Sequence, residues 1–152
     1  MPSPHHFAIV GAGMAGITCA RTLIQAGHKV TVFEQEATVG GRMATASSPF
    51  GGFDVGAQYF TVRDPRFTQA LLTVPGVCRP WSANAVRVLD SLGNVVEASR
   101  PSPEPHWVPS PDMAALLQTW AKPLADTLVL STRVEALERD AMDATLWQLR
   151  TT

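Results

Sequence analysis

Three glycines near the start of the chain, Gly11, Gly13 and Gly16, have the spacing of a phosphate-binding turn. They follow the short apolar run Phe7–Val10 and lead into a segment with helical periodicity. In such a turn the first glycine permits a sharp exit from the strand, the second lets the backbone approach a pyrophosphate, and the third lets the helix pack closely on the sheet. The helix N-terminus favours an anion because its free N–H groups carry roughly half a positive charge. The turn therefore predicts a pyrophosphate site.

An acidic residue, Glu34, closes the next apolar run, Lys29–Phe33. A carboxylate at this point can accept a hydrogen bond from a ribose 2′-hydroxyl, and it disfavours the extra phosphate of an NADP-type adenosine. The alternative interpretation of Glu34 is a solvated strand end. Strand, turn, helix, strand and acid in this order predict a dinucleotide-binding βαβ unit.

Periodicity predicts the elements that position these residues. The first helix carries Ile17, Ala20, Leu23 and Ile24 on one side, ends at Gly27, and places Cys19 as a buried free thiol. Two further helices are predicted: one capped by Asp64 with Phe67, Ala70 and Leu71 inward, and one with Met113, Leu116, Leu117 and Trp120 on one face. Between them the sequence predicts a β-hairpin over Val86–Ala98 and a stiff proline-rich loop over Arg100–Pro111. The last predictions are a buried strand over Thr127–Leu130 and two strands over Val134–Arg139 and Thr145–Arg150.

Composition excludes several functional classes. A net charge of −1 provides no basic surface for nucleic acid. No apolar stretch approaches the length that spans a membrane, and the chain is predicted to be cytoplasmic. The four histidines never fall at metal-ligand spacing, so no metal site is predicted.

The residues after Glu34 distinguish between dinucleotides. Glu34 is followed by Gly40-Gly41-Arg42, and this arrangement resembles the amine-oxidase superfamily of flavoproteins. Two glycines free the backbone to present N–H groups, and Arg42 can place a permanent charge on a pyrophosphate. A nicotinamide enzyme needs no such second clamp. The alternative interpretation of Arg42 is a surface arginine.

A closer resemblance is to renalase-like NAD(P)/FAD-dependent oxidoreductases. It rests on Gly41-Arg42-Met43, on the stretch Asp54–Thr61, and on Arg63-Asp64. The resemblance implies that Gln58, Tyr59 and Phe60 lie beside the isoalloxazine ring, although core packing is the alternative for the two aromatic residues. It also implies that Val134 uses its backbone to hold the adenine.

Together these observations predict an α/β fold: a Rossmann-like FAD-binding domain with a parallel sheet, a β-hairpin and part of a β-meander. The resemblance implies that residues 1–152 are the N-terminal portion of a longer oxidoreductase, whose flavin accepts a hydride from an amine or a reduced nicotinamide. The catalytic residues are not identified. The predicted FAD-contacting positions are Gly11, Ala12, Gly13, Met14, Ala15, Gly16, Glu34, Gln35, Gly41, Arg42, Met43, Gln58, Tyr59, Phe60 and Val134. Two alternatives stay open: a non-catalytic dinucleotide-binding fragment and an NAD-binding dehydrogenase domain.

Overall fold

The N-terminal part of the chain is a βαβ unit. A computed structural model describes residues 4–82, 87–98 and 104–152. Strand β1 (His6–Val10), helix α1 (Met14–Gln25) and strand β2 (Lys29–Phe33) confirm the predicted order. The two strands pair in parallel, and a short strand β10 (Leu128–Val129) pairs in parallel with the other edge of β2. The resulting sheet has the order β1-β2-β10, so β2 is central.

The other elements follow in chain order. They are a 3-10 turn over Gly41–Met43, β3 (Thr45–Ser48), β4 (Gly51–Asp54), β5 (Phe60–Thr61), α2 (Pro65–Leu72), β6 (Cys78–Pro80), β7 (Arg87–Leu89), β8 (Val95–Ala98), β9 (His106–Pro109), α3 (Ala114–Ala121), a 3-10 turn over Lys122–Thr127, β11 (Val134–Arg139) and β12 (Trp147–Thr151). The pairs β3-β4, β7-β8 and β11-β12 are antiparallel. The predicted hairpin is therefore confirmed over β7 and β8, whereas Val86 lies outside the described residues.

The hydrophobic core lies between the parallel sheet and the helices α1 and α3. Its fully buried side chains include Ile17, Val32, Met113, Leu116 and Leu117. The face predicted for α3 is confirmed, since Trp120 is buried as well. Within the part of the chain that the structure describes, no helix is long and apolar enough to cross a bilayer.

A second sheet corrects one prediction. It has the order β5-β9-β6, and its central strand β9 lies in the region predicted as a stiff loop. The prediction is wrong at 106–109 because this short run pairs with a neighbour on each side, a tertiary effect that proline content cannot reveal. Residues 100–103 of that predicted loop lie outside the described residues.

Two predictions about α1 are wrong as well. Cys19 is exposed, and Ile24 is also on the solvent side, with 37% of its surface exposed. The fully buried positions of α1 are Ile17 and Ala20, which form a narrow stripe. Cys19 lies about 200° around the helix from Ile17, so it faces away from the sheet.

Candidate functional site

The first glycine turn leaves β1 in a conformation that requires glycine. Gly11 has φ +96°, in the left-handed region, and its N–H donates to the Phe33 carbonyl oxygen at 2.7 Å. Gly13 is the N-cap of α1 and has no side chain with which to cap it. The first N–H groups of α1 have no partner within the helix and face the end of the turn. Backbone donors are therefore available to an anion at this point.

Gly16 sets the distance between α1 and β1. A Cβ atom at this position would overlap the Gly11 carbonyl oxygen and would lie 3.4 Å from Cγ2 of Ile9. Any larger residue would push the helix away from the strand. The role predicted for the third glycine, close helix–sheet packing, agrees with this geometry.

The second glycine pair packs against the first turn. Gly40 and Gly41 have φ +155° and +54°, and the Gly40 N–H donates to the Ala12 carbonyl oxygen at 3.1 Å. A Cβ atom on Gly41 would lie 3.2 Å from Cα of Gly13, and one on Gly13 would lie 3.8 Å from Cα of Gly41. The two motifs therefore meet backbone to backbone. Both glycines also line one open cleft, and the groove where they meet carries no side chain from either.

Glu34 is a buried carboxylate that holds the glycine turn in place. It is only 7% exposed, so the alternative of a solvated strand end is wrong. One oxygen, Oε2, accepts a hydrogen bond from the Ala12 N–H at 2.6 Å, and Oε1 accepts one from the Glu36 N–H at 3.0 Å. Each carboxylate oxygen can accept a further hydrogen bond, so these contacts leave acceptor capacity for a ligand hydroxyl.

A cleft of about 440 Å³ lies beside the turn and brings together six of the predicted positions. These are Gly11, Gly13, Glu34, Gln35, Gly41 and Val134. Four further residues line it that sequence reasoning did not select: Val10, Phe33, Thr132 and Arg133. Val10, Phe33 and Arg133 are each next to a selected residue in the sequence, and Thr132 lies two residues before Val134.

Backbone hydrogen bonds bring the distant segment 131–134 to this cleft. The Thr132 N–H donates to the Glu34 carbonyl oxygen at 2.8 Å, and the Ser131 N–H donates to that of Glu36 at 3.0 Å. Ser131 has a positive φ of 51°, which turns the chain out of β10. These contacts explain how Val134, a hundred residues beyond Glu34 in the sequence, reaches the same cleft.

The other predicted positions around the turn do not line the cleft. Ala12 and Met43 are buried in the core, and Met14 packs partly buried against it. Ala15 and Arg42 are exposed. The Arg42 guanidinium has no hydrogen bond or ion pair within the described residues, and its role at a pyrophosphate stays a prediction.

The stretch that contains Gln58, Tyr59 and Phe60 begins on the Arg42 turn. The Ala57 N–H donates to the Arg42 carbonyl oxygen at 2.8 Å, and a Cβ atom on Gly56 would overlap that oxygen. Gln58 and Tyr59 are exposed, whereas Phe60 packs against Phe67 at 5.5 Å between ring centroids. Phe60 therefore has the core contacts of the alternative interpretation.

Sequence comparison matches the glycine turn and the segment after it. The family model of the NAD(P)-binding Rossmann-like domain matches residues 9–72. L-amino acid oxidase Cdc18 of Crotalus durissus cumanensis is 56% identical over 43 residues, which is 28% of this chain and 9% of that protein. The L-amino-acid oxidase of Siganus canaliculatus is 46% identical over 55 residues, or 35% of this chain and 10% of that protein. The chain thus matches about a tenth of the length of these relatives.

Structural comparison extends over almost the whole chain. The structure of 2,6-dihydroxypyridine-3-hydroxylase from Arthrobacter nicotinovorans matches with a TM-score of 0.59 and 19% identity, over 99% of this chain and 34% of that one. The protein OTEMO in an FAD-bound form matches with a TM-score of 0.55 and 20% identity, over 99% of this chain and 23% of that one. At this level of identity the likeness shows the fold, and this chain has a Rossmann-like α/β fold.

Proposed function

We propose that this chain is the FAD-binding, N-terminal portion of a flavin-dependent oxidoreductase. The observation that carries the proposal is the cleft in which the glycine turn, Glu34 and Gly41 meet. The solved structures with the same fold include the FAD-bound protein OTEMO. Because the chain spans only part of these proteins, the activity of the whole protein is part of the proposal.

The groups around the cleft match the successive parts of a dinucleotide. Glu34 has acceptor capacity for a ribose hydroxyl, and Val134 would offer its backbone to the adenine. The groove where Gly13 and Gly41 meet would admit a pyrophosphate, because both residues present bare backbone to the cleft. Arg42 would add a permanent positive charge there. The first turn of α1 supplies N–H donors on the same side.

The continuation of the chain beyond Arg42 supports FAD in particular. The Ala57 N–H is bonded to the Arg42 carbonyl oxygen, and the exposed residues Gln58 and Tyr59 follow directly. These positions would lie beside the isoalloxazine ring. When bound, FAD supplies the hydride-accepting centre, and the protein supplies position and electrostatics.

The proposed substrate is an amine or a reduced nicotinamide. The amine class is supported by the two L-amino-acid oxidases whose sequences match the first part of the chain. The nicotinamide class is supported by the Gly-Ala-Gln-Tyr-Phe stretch at 56–60, the renalase-like feature of the sequence.

An NAD-binding dehydrogenase domain is the second candidate, since the matching family model is described as NAD(P)-binding. Calorimetric titration of the same protein with FAD and with NAD separates the two. We expect FAD to bind at least tenfold more tightly, because both dinucleotides carry the pyrophosphate but only FAD has an isoalloxazine ring to contact the exposed residues Gln58 and Tyr59. Tighter binding of NAD would contradict the proposal and favour the second candidate.

A further inference from the structure

Three aromatic side chains form a stack on the second sheet. The rings of Tyr59 and His106 lie 4.0 Å apart between centroids, with an angle of 23° between their planes. The Trp81 ring lies 5.8 Å from that of Tyr59 at 25° and 6.4 Å from that of His106 at 35°. The Trp81 and His106 planes are therefore each close to parallel with that of Tyr59 and are tilted relative to each other. We call this group the ring platform.

Strand register places the ring platform on the outer face of the sheet. Phe60 lies opposite Trp107, and Thr61 lies opposite His106. Side chains alternate between faces along a strand, and Phe60 points toward the core. His106 therefore points the other way, on the same side as Tyr59. The backbone N–H of Trp81 donates to the His106 carbonyl oxygen at 2.7 Å. This bond holds the Trp81 ring next to the other two.

The ring platform is accessible rather than part of the core. Tyr59 is 36% exposed and Trp81 is 39% exposed. Large rings ordinarily bury their faces, so a fixed stack with accessible surface is a ready contact for another ring. Rings that are already held in place lose little conformational entropy when a ligand binds.

The ring platform also lies close to the proposed flavin path. Ala57 is hydrogen-bonded to the Arg42 turn, and Tyr59 is two residues further along. A chain of two residues spans at most about 7 Å. Tyr59 is therefore held near the point at which the proposed cofactor leaves the pyrophosphate groove.

We infer that the ring platform is one wall of the substrate site and selects a substrate with a planar ring. This inference rests on the proposed function, because it takes the flavin to lie next to Tyr59. It specifies the substrate class further: an aromatic amine or a nicotinamide meets the requirement, whereas an aliphatic amine does not. Stacking against the platform favours a planar ring over a saturated one of the same charge by about three- to tenfold.

The test compares benzylamine with cyclohexylmethylamine, which carry the same charge and differ in the planarity of the ring. Calorimetry measures the binding of each amine to the 152-residue chain, with and without saturating FAD. We expect the unaltered FAD-loaded protein to bind benzylamine three- to tenfold more tightly. Trp81→Leu is expected to remove this preference without changing the affinity for FAD. The matched control is Trp147→Leu, which alters another exposed tryptophan and is expected to keep the preference.

The outcomes separate the inference from the proposed function. Normal FAD binding with equal affinity for the two amines, or with no amine binding, would overturn the ring platform and leave the proposed function in place. A preference that survives Trp81→Leu would overturn it as well. Absence of FAD binding would contradict the proposed function and, with it, the assignment of the platform to a substrate site, even if a benzylamine preference depended on Trp81. Absence of both would contradict both.

Discussion

At the scale of single residues, Glu34 links the cleft to the stability of the fold. Its buried carboxylate accepts hydrogen bonds from the backbone at Ala12 and Glu36, on two separate segments. A residue predicted from the sequence only as a ligand contact therefore also fixes the turn that forms the cleft. Changes at Glu34 should affect stability and affinity together.

We expect Glu34→Gln to lower the free energy of unfolding by about 1–3 kcal/mol. The N–H groups of Ala12 and Glu36 each bond a different carboxylate oxygen, whereas the glutamine amide has only one acceptor oxygen, so one donor would lose its partner. The affinity for FAD should fall by about tenfold or more. Urea unfolding and calorimetric titration measure the two effects. The control is Glu36→Gln, at an exposed side chain. Unchanged stability of Glu34→Gln would show that the carboxylate does not hold the turn.

The glycines of the turn should separate binding from folding. Gly13 has φ −80°, which any residue can adopt, and a Cβ atom there would contact Gly41 at an ordinary distance of 3.8 Å. Gly13→Ala should therefore keep the free energy of unfolding within about 1 kcal/mol and weaken FAD binding by filling the groove. A larger β-branched residue, as in Gly13→Val, should abolish binding.

Gly16→Ala provides the opposite case. The added Cβ would overlap the Gly11 carbonyl oxygen, so the helix must move away from β1. Overpacking of this kind costs about 1–3 kcal/mol, which thermal unfolding would detect.

The Gly13 prediction has its own contradicting outcome. If Gly13→Ala bound FAD normally, the groove between the two glycine motifs would not be the pyrophosphate site.

At the scale of elements, helix α3 depends on a cap supplied by the β3-β4 hairpin. The Asp54 carboxylate oxygen Oδ1 accepts hydrogen bonds from the Met113 N–H at 3.0 Å and from the Thr45 hydroxyl at 2.7 Å. The Ala114 N–H donates to the same hydroxyl at 3.3 Å. The N-cap residue Met113 cannot satisfy these groups with its own side chain.

Asp54→Ala should lower the free energy of unfolding by about 1–3 kcal/mol, because it leaves partly buried donors of α3 and Thr45 without an acceptor. Chemical denaturation measures the change. Asp126→Ala removes an exposed carboxylate and should change stability by no more than about 0.5 kcal/mol. Equal effects of the two substitutions would refute the capping role of Asp54.

Helix α2 begins with a cap whose strength depends on pH. The Asp64 carboxylate accepts hydrogen bonds from the side chain of Arg66 and then from its backbone N–H, and these lower the pKa of Asp64 to about 2. A lowered pKa means that Asp64 takes up its proton at a lower pH in the folded state than in the unfolded state. The contribution to stability is therefore complete above the unfolded pKa, near 4, and is lost as the pH falls toward 2.

Carboxyl NMR can follow this titration residue by residue. We expect the Asp64 signal to titrate near pH 2 and to move toward pH 4 in Arg66→Met, which keeps the backbone donor but removes the guanidinium. A midpoint that does not move in Arg66→Met would assign the lowered pKa to another cause.

At the scale of the whole molecule, a second, more apolar cleft of about 670 Å³ separates the parallel sheet from the β11-β12 pair. Its lining includes the side chains of Phe7, Val10, Leu137, Leu146 and Trp147. Strand β1 is an edge of the parallel sheet among the described residues. An open edge beside an apolar surface favours association between chains.

We expect the 152-residue chain, expressed by itself, to self-associate and to show no flavin reduction by an amine or a reduced nicotinamide at enzymatic rates. Analytical ultracentrifugation and flavin absorbance measure the two properties. The double variant Leu146→Lys and Trp147→Lys should shift the distribution toward monomer, since both side chains are more than half exposed. A monodisperse chain that reduces FAD rapidly would contradict the proposal that it is a portion of a longer enzyme.

The sequence by itself determined the βαβ unit, its order of elements, and six of the ten residues that line the cleft. Local physics is sufficient there. The left-handed turn at Gly11 requires glycine, and the apolar runs on either side of α1 have the length and pattern of strands, although β1 is only partly buried. The faces of α3 followed from the same kind of local periodicity.

Only the tertiary structure decided which residues meet across the chain. The arrival of Thr132 and Arg133 at the cleft depends on backbone hydrogen bonds near Glu34, which any residue except proline could donate. Strand β9 became central because β5 and β6 pair with it from opposite sides. Glu34 and Asp54 acquired structural roles from donors in distant segments. Such contacts depend on the positions of backbone groups in space, and residue type alone does not encode those positions.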